Sequence, residues 1–270
     1  MIFSMISSAC PLLLCALGAL FTEYAGILAM FIDGLLTFSS FMFYFFTIIT
    51  GSSFFAAFLT IIFAAGLVLG LSFIVEKTKA NPFMAGIGMN LLFSSLTSLF
   101  SSLFFHTQGV LYSPDFSFKP ITVNAVSIPV TIALIIAAAL FLKFTRAGVY
   151  FRITGSDCDV LEAKGVHPSI YRIFSWVIAA TFTGIAGIFL SMRISSFVPN
   201  IASGRGWMAL AAVFLGRKKI WKISLFTLIF CAADILSSSI QNFIPSIPSA
   251  FLLSFPYLIA VALACLSKDR

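Results

Sequence analysis

Apolar stretches near or beyond about twenty residues, the length a helix needs to cross a bilayer, recur along the whole 270-residue chain. That recurrence leaves few folds open. In hydrocarbon every backbone N–H and C=O must be bonded within the protein, so a span is a helix or part of a closed barrel. Continuous apolar runs mark helices, because barrel strands alternate. Charged residues make up only 9% of the chain and hydrophobic residues 60%, whereas soluble domains carry about 25% charged residues. The expected fold is all-α: one polytopic transmembrane helical bundle over residues 1–270, with about eight or nine membrane segments, some broken or half-spanning.

The net charge of +7 does not point to nucleic acid. The basic residues gather at Lys77 and Lys79, from Lys143 to Arg172, from Arg217 to Lys222, and at Lys268 and Arg270. These are span ends, and basic span ends mark the cytoplasmic side. With nine segments the N-terminus is expected outside and the C-terminus in the cytoplasm of a cell-membrane protein. Met1 to Phe21 has no basic leader, so it reads as a retained span and not as a signal peptide. Cys10, Cys15, Cys158, Cys231 and Cys265 are odd in number and scattered, which suggests neither a disulfide framework nor a metal site.

Spans are expected over Met1–Phe21, Tyr24–Ile49, Phe54–Val75, Phe83–Phe105, Ala125–Leu142, Ile173–Met192, Ile223–Ile240 and Ser249–Leu266. Trp207–Leu215 is too short to cross alone and reads as a half-span. Asn81-Pro82 supplies a cap and a first-turn proline for the span that follows. His106–Asn124 and Arg193–Gly206 read as outer loops, Gln241–Pro248 as a turn, and Gly184 with Gly187 as a close-packing pair.

Polar residues inside the apolar runs are costly unless they face a cavity or a partner. Asp33, beside Gly34, interrupts the second run and marks a place where the helix can break. Asn90 shares a small, serine-rich span, Asp234 lies within another, and Arg205 at the mouth of the half-span is placed to neutralise one of the acids. These four are the candidate substrate-pathway residues, with paired structural acids as the alternative. A third reading makes Asp33 and Asp234 the proton relay of a stand-alone proton-coupled carrier.

Enzyme chemistry has little support. There is no G-x-x-x-x-G-K-[ST] for ATP, no H-E-x-x-H and no G-x-S-x-G. His106 and His167 fall in loops without a nucleophile or a second ligand nearby. No catalytic residue, metal or cofactor is assigned to this chain.

The longest polar interval, Phe144 to Arg172, contains a compact helix pattern. Ser156 and Asp159 form an S-x-x-D start, Asp157 and Asp159 place negative charge at the N-terminus, and Lys164-Gly165 gives a basic last turn and a stop. This describes a helix of about eight residues. Val160, Leu161 and Ala163 are too few to bury it, and so short a helix is marginal alone. It is either a capped surface turn or an element that docks on another protein.

Four blocks in order, Ala9 to Gly34, KANPFMAGIGMNLL (Lys79 to Leu92), TRAGVYFRITGSDCDVLEAKGV (Thr145 to Val166) and SGRGWMALAAVFLGR (Ser203 to Arg217), resemble the permease subunits of ABC importers. The branch is that of ribose, branched-chain amino acid and nucleoside uptake, and the chain is most similar to the short nucleoside permeases. The resemblance implies a type II importer fold and a cytoplasmic coupling loop at about 145–169. In that loop Ser156, Asp157, Asp159, Leu161, Glu162, Lys164 and Gly165 would meet a separate ATPase that binds ATP and magnesium. It also implies a second permease subunit, related or identical, and an extracytoplasmic binding protein or lipoprotein. The expected function is half of a pathway for nucleosides, purine nucleosides in particular, with a simple sugar such as ribose as the alternative.

Overall fold

The computed structural model describes residues 2–243 and 249–266. In chain order its helices are α1 (Ile2–Tyr24), α2 (Ile32–Thr50), α3 (Ser53–Thr78), α4 (Pro82–Phe105), α5 (Pro120–Phe144), α6 (Arg146–Ser156), α7 (Cys158–Ala163), α8 (Pro168–Ile194), α9 (Arg205–Leu215), α10 (Ile220–Phe243) and α11 (Ser249–Leu266). Seven are long and apolar enough to span a membrane, and Arg205–Leu215 and Ser254–Leu263 are shorter apolar helices. Together these account for the expected all-α bundle of eight or nine segments. Part of the expected turn Gln241–Pro248, residues 244–248, and the terminal bases Lys268 and Arg270 lie outside the described residues.

Helix starts follow local chemistry. The Phe83 N–H donates to Asn81 Oδ1 at 2.9 Å and Pro82 takes the first turn, as the Asn-Pro pair predicts. α5 and α8 also begin on prolines, Pro120 and Pro168. Both start earlier than the apolar runs suggest, because a helix continues past the hydrocarbon edge while hydropathy does not. The loop expected over His106–Asn124 therefore ends before Pro120. Its Leu111 pairs with Phe197 through two backbone hydrogen bonds, and buried Phe116 packs against Phe43 and Tyr44 of α2.

The bundle has a centre and a rim. In α1, α2 and α8, 67–83% of the spanning window is buried, against 22% in α3, α4 and α5. α8 packs on α1, α2 and α3, so the rim helices turn most of their surface toward lipid. α8 crosses α2 closely at Gly187, where an added Cβ would lie 2.9 Å from the Leu36 carbonyl oxygen. Ser40 Oγ donates to the Gly187 carbonyl at 3.0 Å, and Ser191 Oγ to the Ser40 carbonyl at 2.9 Å. Small residues that let backbones approach, joined by hydroxyl bonds, suit helix packing in lipid. Gly184 is different: its nearest neighbour would be 3.8 Å away. The expected close-packing pair thus reduces to Gly187. Gly187→Val should destabilise the purified permease by about 1–3 kcal/mol through overpacking, seen as a lower thermal-unfolding midpoint in detergent, while Gly184→Ala should leave the midpoint unchanged.

Candidate functional site: two helix starts inside the bundle

α2 and α9 both begin within the bundle, and this defines the site. The second apolar run is broken over residues 25–31, before Asp33 and not at it. Ala25, Ile27, Ala29 and Phe31 in that break are buried, and Phe31 packs edge-on against Trp176 of α8. α9 follows the irregular segment 195–204. Its 11 residues reach about 16 Å, half of a hydrocarbon core about 30 Å thick, as the half-span reading anticipates. Arg205, expected in an outer segment, is the first residue of α9.

A helix start leaves N–H groups without intrahelical partners, and inside a membrane protein they need acceptors. Two of the predicted residues supply them. The Gly34 N–H in the first turn of α2 donates to Asn90 Oδ1 at 2.5 Å. The Gly206 N–H in the first turn of α9 donates to Asp33 Oδ1 at 2.9 Å. A carboxylate at a helix N-terminus is also favoured by the dipole. Both glycines are needed for the approach: a Cβ on Gly206 would lie 2.5 Å from the Asp33 nitrogen, and one on Gly34 would collide with the Asn90 carbonyl. α9 starts from Gly204 at φ +81, with no side-chain cap of its own.

The other two predicted residues pair with each other. Arg205 Nη2 lies 3.2 Å from Asp234 Oδ2, and its Nη1 donates to the Ile201 carbonyl at 3.1 Å. Asp234 is about four turns into α10. The pair faces a cavity of 330 Å³ that also takes in Ser8, Arg193, Ser238 and Ser239. Asp33 and Asn90 therefore hold backbone in place, whereas Arg205 and Asp234 line open space. Arg193, expected at the start of an outer loop, lies in the last turn of α8 instead.

A second cavity, of 260 Å³, lies beside α2 and α4. Thr37, Ser94, Thr97, Ser98 and Ser101 give it hydroxyls, and Gln108 and Asn200 give it amides, with no formal charge in the lining. The 94, 97, 98, 101 spacing is that of one helix face, so the signal was readable. The serine-rich face of α4 serves this cavity as well as packing.

At the basic end the polar interval forms two helices. α6 was not foreseen; Thr145 caps it by accepting from the Gly148 N–H at 3.0 Å. α7 has six residues, fewer than the expected eight. Its cap is Asp157, which accepts from Asp159 and Val160, while the hydroxyl of Ser156 bonds back to the Arg152 carbonyl at 3.1 Å. Leu161 is fully buried, so α7 packs on its own protein, contrary to the expectation that its apolar residues are too few. Asp159, Val160, Glu162, Lys164 and Gly165 are exposed, and Gly165 at φ +73 ends the turn. Gly155 at the end of α6 abuts Gly26, and a Cβ on it would collide with the Tyr24 carbonyl. Cys10, Cys15, Cys158, Cys231 and Cys265 are free thiols. Among the described residues no three His, Cys, Asp or Glu gather as a metal-binding group.

A bundle with two helices starting inside it, and polar cavities at those starts, defines a polytopic membrane permease. The chain belongs to the family described as "branched-chain amino acid transport system / permease component", whose profile matches residues 1–264. It is 23% identical over 95% of its length to a nucleoside ABC transporter permease of Lactococcus lactis, covering 88% of that protein. It is 26% identical over 94% of its length to a guanosine ABC transporter permease of Bacillus subtilis, covering 87% of it. A putative glucose ABC transporter permease of Haloferax volcanii is 24% identical over 88% of the chain and 76% of the relative. The fold matches a chain of PsaBC from Streptococcus pneumoniae, solved with a Fab, at a TM-score of 0.58 and 14% identity, over 98% of this chain and 89% of that one. The protein is a multi-pass permease subunit of an ABC transporter.

Proposed function

We propose that this chain forms half of the import pathway for nucleosides, purine nucleosides in particular, in a heteromeric ABC importer of the cell membrane. The observation that carries the cargo assignment is similarity along nearly the whole chain to two permeases named for nucleoside and guanosine transport. The hydroxyl- and amide-lined cavity of α2 and α4 supports it, since an uncharged lining suits a neutral, polyhydroxylated cargo. Arg205 and Asp234, lining the other cavity as a neutralised pair, are the pathway residues at that level; Asp33 and Asn90 position the helix starts around them.

The basic end faces the cytoplasm in this reading, with the N-terminus outside and the C-terminus inside. There the 145–169 segment meets a separate ATPase, which binds ATP and magnesium and does the catalysis. A second permease, related or identical, completes the pathway, and a binding protein or lipoprotein delivers cargo at the opposite end. Displacing α6 and α7 pushes through the Gly155–Gly26 contact into residues 25–31, and so to Asp33 and the start of α9. Movement of packed elements that have two arrangements is the usual means of alternating access.

The test is uptake by the complete transporter reconstituted in vesicles with its ATPase, second permease and binding protein. ATP-dependent uptake of guanosine and inosine, competed by adenosine, is the expected result. Uptake of ribose or glucose alone would overturn the cargo assignment and favour the sugar reading that the Haloferax relative represents. The stand-alone carrier has less support, because the Asp33 carboxylate is engaged by Gly206 and that of Asp234 by Arg205. Uptake driven by a pH gradient in vesicles holding this chain alone would restore it.

A further inference from the structure

Away from both polar cavities, the basic end of the bundle holds a groove of 700 Å³ between α1, α5, α6 and the start of α10. Lys143, Arg152, Lys218 and Lys219 stand around it. One carboxylate answers them: Lys218 Nζ lies 3.3 Å from Glu23 Oε1. Arg152 lies over the Tyr24 ring at 5.4 Å and Lys143 over the Phe144 ring at 5.2 Å. Among the described residues neither of these cations, nor Lys219, has an ion-pair partner.

The groove is not a simple anion site, because its inner wall is apolar. Ile135, Ala139 and Leu142 of α5 face Ile220 and Trp221 of α10. Ile135 lies about 12 Å along α5 from Lys143, toward the middle of the span. Tyr24 and Trp221 stand where the cations give way to this wall, the position that amphipathic rings take at a membrane surface. A free phosphate would satisfy the cations and leave the wall uncovered. A molecule with a phosphate at one end and a hydrocarbon chain at the other satisfies both.

We propose that this groove is a binding site for an anionic phospholipid, its phosphate held among Lys143, Arg152 and Lys219 and one acyl chain laid along α5. Charge complementarity favours a lipid over a second protein, which would have to bring several carboxylates to the same spot. Basic pockets between spans are a known means of holding acidic headgroups. The site is independent of which cargo the transporter carries.

Native mass spectrometry of the detergent-purified, fully assembled transporter tests this, with phosphatidylglycerol as the probe and phosphatidylcholine as its neutral counterpart. Lys143→Gln with Lys219→Gln should weaken phosphatidylglycerol binding about tenfold or more and leave phosphatidylcholine binding unchanged. Ala139→Trp, which fills the apolar wall and keeps every cation, should weaken it as well, and it serves if the double variant fails to assemble. Millimolar glycerol 3-phosphate should not displace the lipid. Equal phosphatidylglycerol binding by wild type and both variants would overturn the proposal. So would displacement by glycerol 3-phosphate, which would mean a site for free phosphate.

Discussion

Asp33→Leu should leave the permease poorly assembled and cut uptake at least about tenfold, while Asp33→Asn should keep much of both. The Asp33 carboxylate accepts the Gly206 N–H at the start of α9, which has no side-chain cap of its own. Leucine matches the volume and removes the acceptor. The stranded N–H groups lie inside the bundle, where an unmet donor costs about 1–3 kcal/mol, and more where its acceptor was charged. Asparagine keeps an oxygen within reach and forfeits chiefly the attraction to the helix dipole, about 0.3–1 kcal/mol. The measurements are yield of assembled complex, thermal midpoint and uptake by the same three proteins. A leucine variant with wild-type midpoint and uptake would show that α9 needs no external acceptor. The asparagine variant also bears on proton coupling: a relay residue tolerates Asn no better than Leu, whereas a cap does.

How much of this was legible in the sequence depends on what each signal measures. Hydropathy reports transfer to an apolar environment, so it located the spans and marked Trp207–Leu215 as too short to cross. It could not place the break in the second run, because Ala25 to Phe31 are as apolar as a helix, and Ala25, Ile27, Ala29 and Phe31 are buried without being helical. Gly26, at φ +76, is the local sign of irregular backbone there, and Asp33 drew the break toward itself by being charged. Asp33 and Asn90 stood out for the same reason, since a costly polar group inside an apolar run implies a cavity or a partner. Their partners turn out to be the N–H groups of Gly206 and Gly34, which a sequence does not display. The Arg205–Asp234 pair was foreseeable, since two opposite charges inside apolar runs are each costly alone. α6 escaped notice because its residues are neither apolar enough for a span nor capped by the Ser or Asp that drew attention to its neighbour.

The exposed face of α7 is where transport should be severed from ATP hydrolysis. Glu162→Arg combined with Val160→Asp should reduce uptake about tenfold or more while the ATPase subunit still hydrolyses ATP. Both side chains are exposed, Val160 at 41%, and nothing on this short helix buries them. Reversing one charge and placing another on the apolar residue sets repulsion and desolvation against any docked surface that complements the natural pair. Leu161 is unsuitable for this test although it lies between them. It is fully buried, and its truncation would cost about 2–5 kcal/mol from the permease's own packing. Leu161→Ala should therefore lower the thermal midpoint of the permease, whereas the double variant should not. If Leu161→Ala alone uncouples and the double variant transports normally, α7 acts through its packing on α6 and α8 and the exposed face contacts nothing. If the double variant loses uptake with an unchanged midpoint, the push from the ATPase enters through Val160 and Glu162, and Leu161 keeps α7 stiff enough to pass it to Gly155 and on to the break below Asp33.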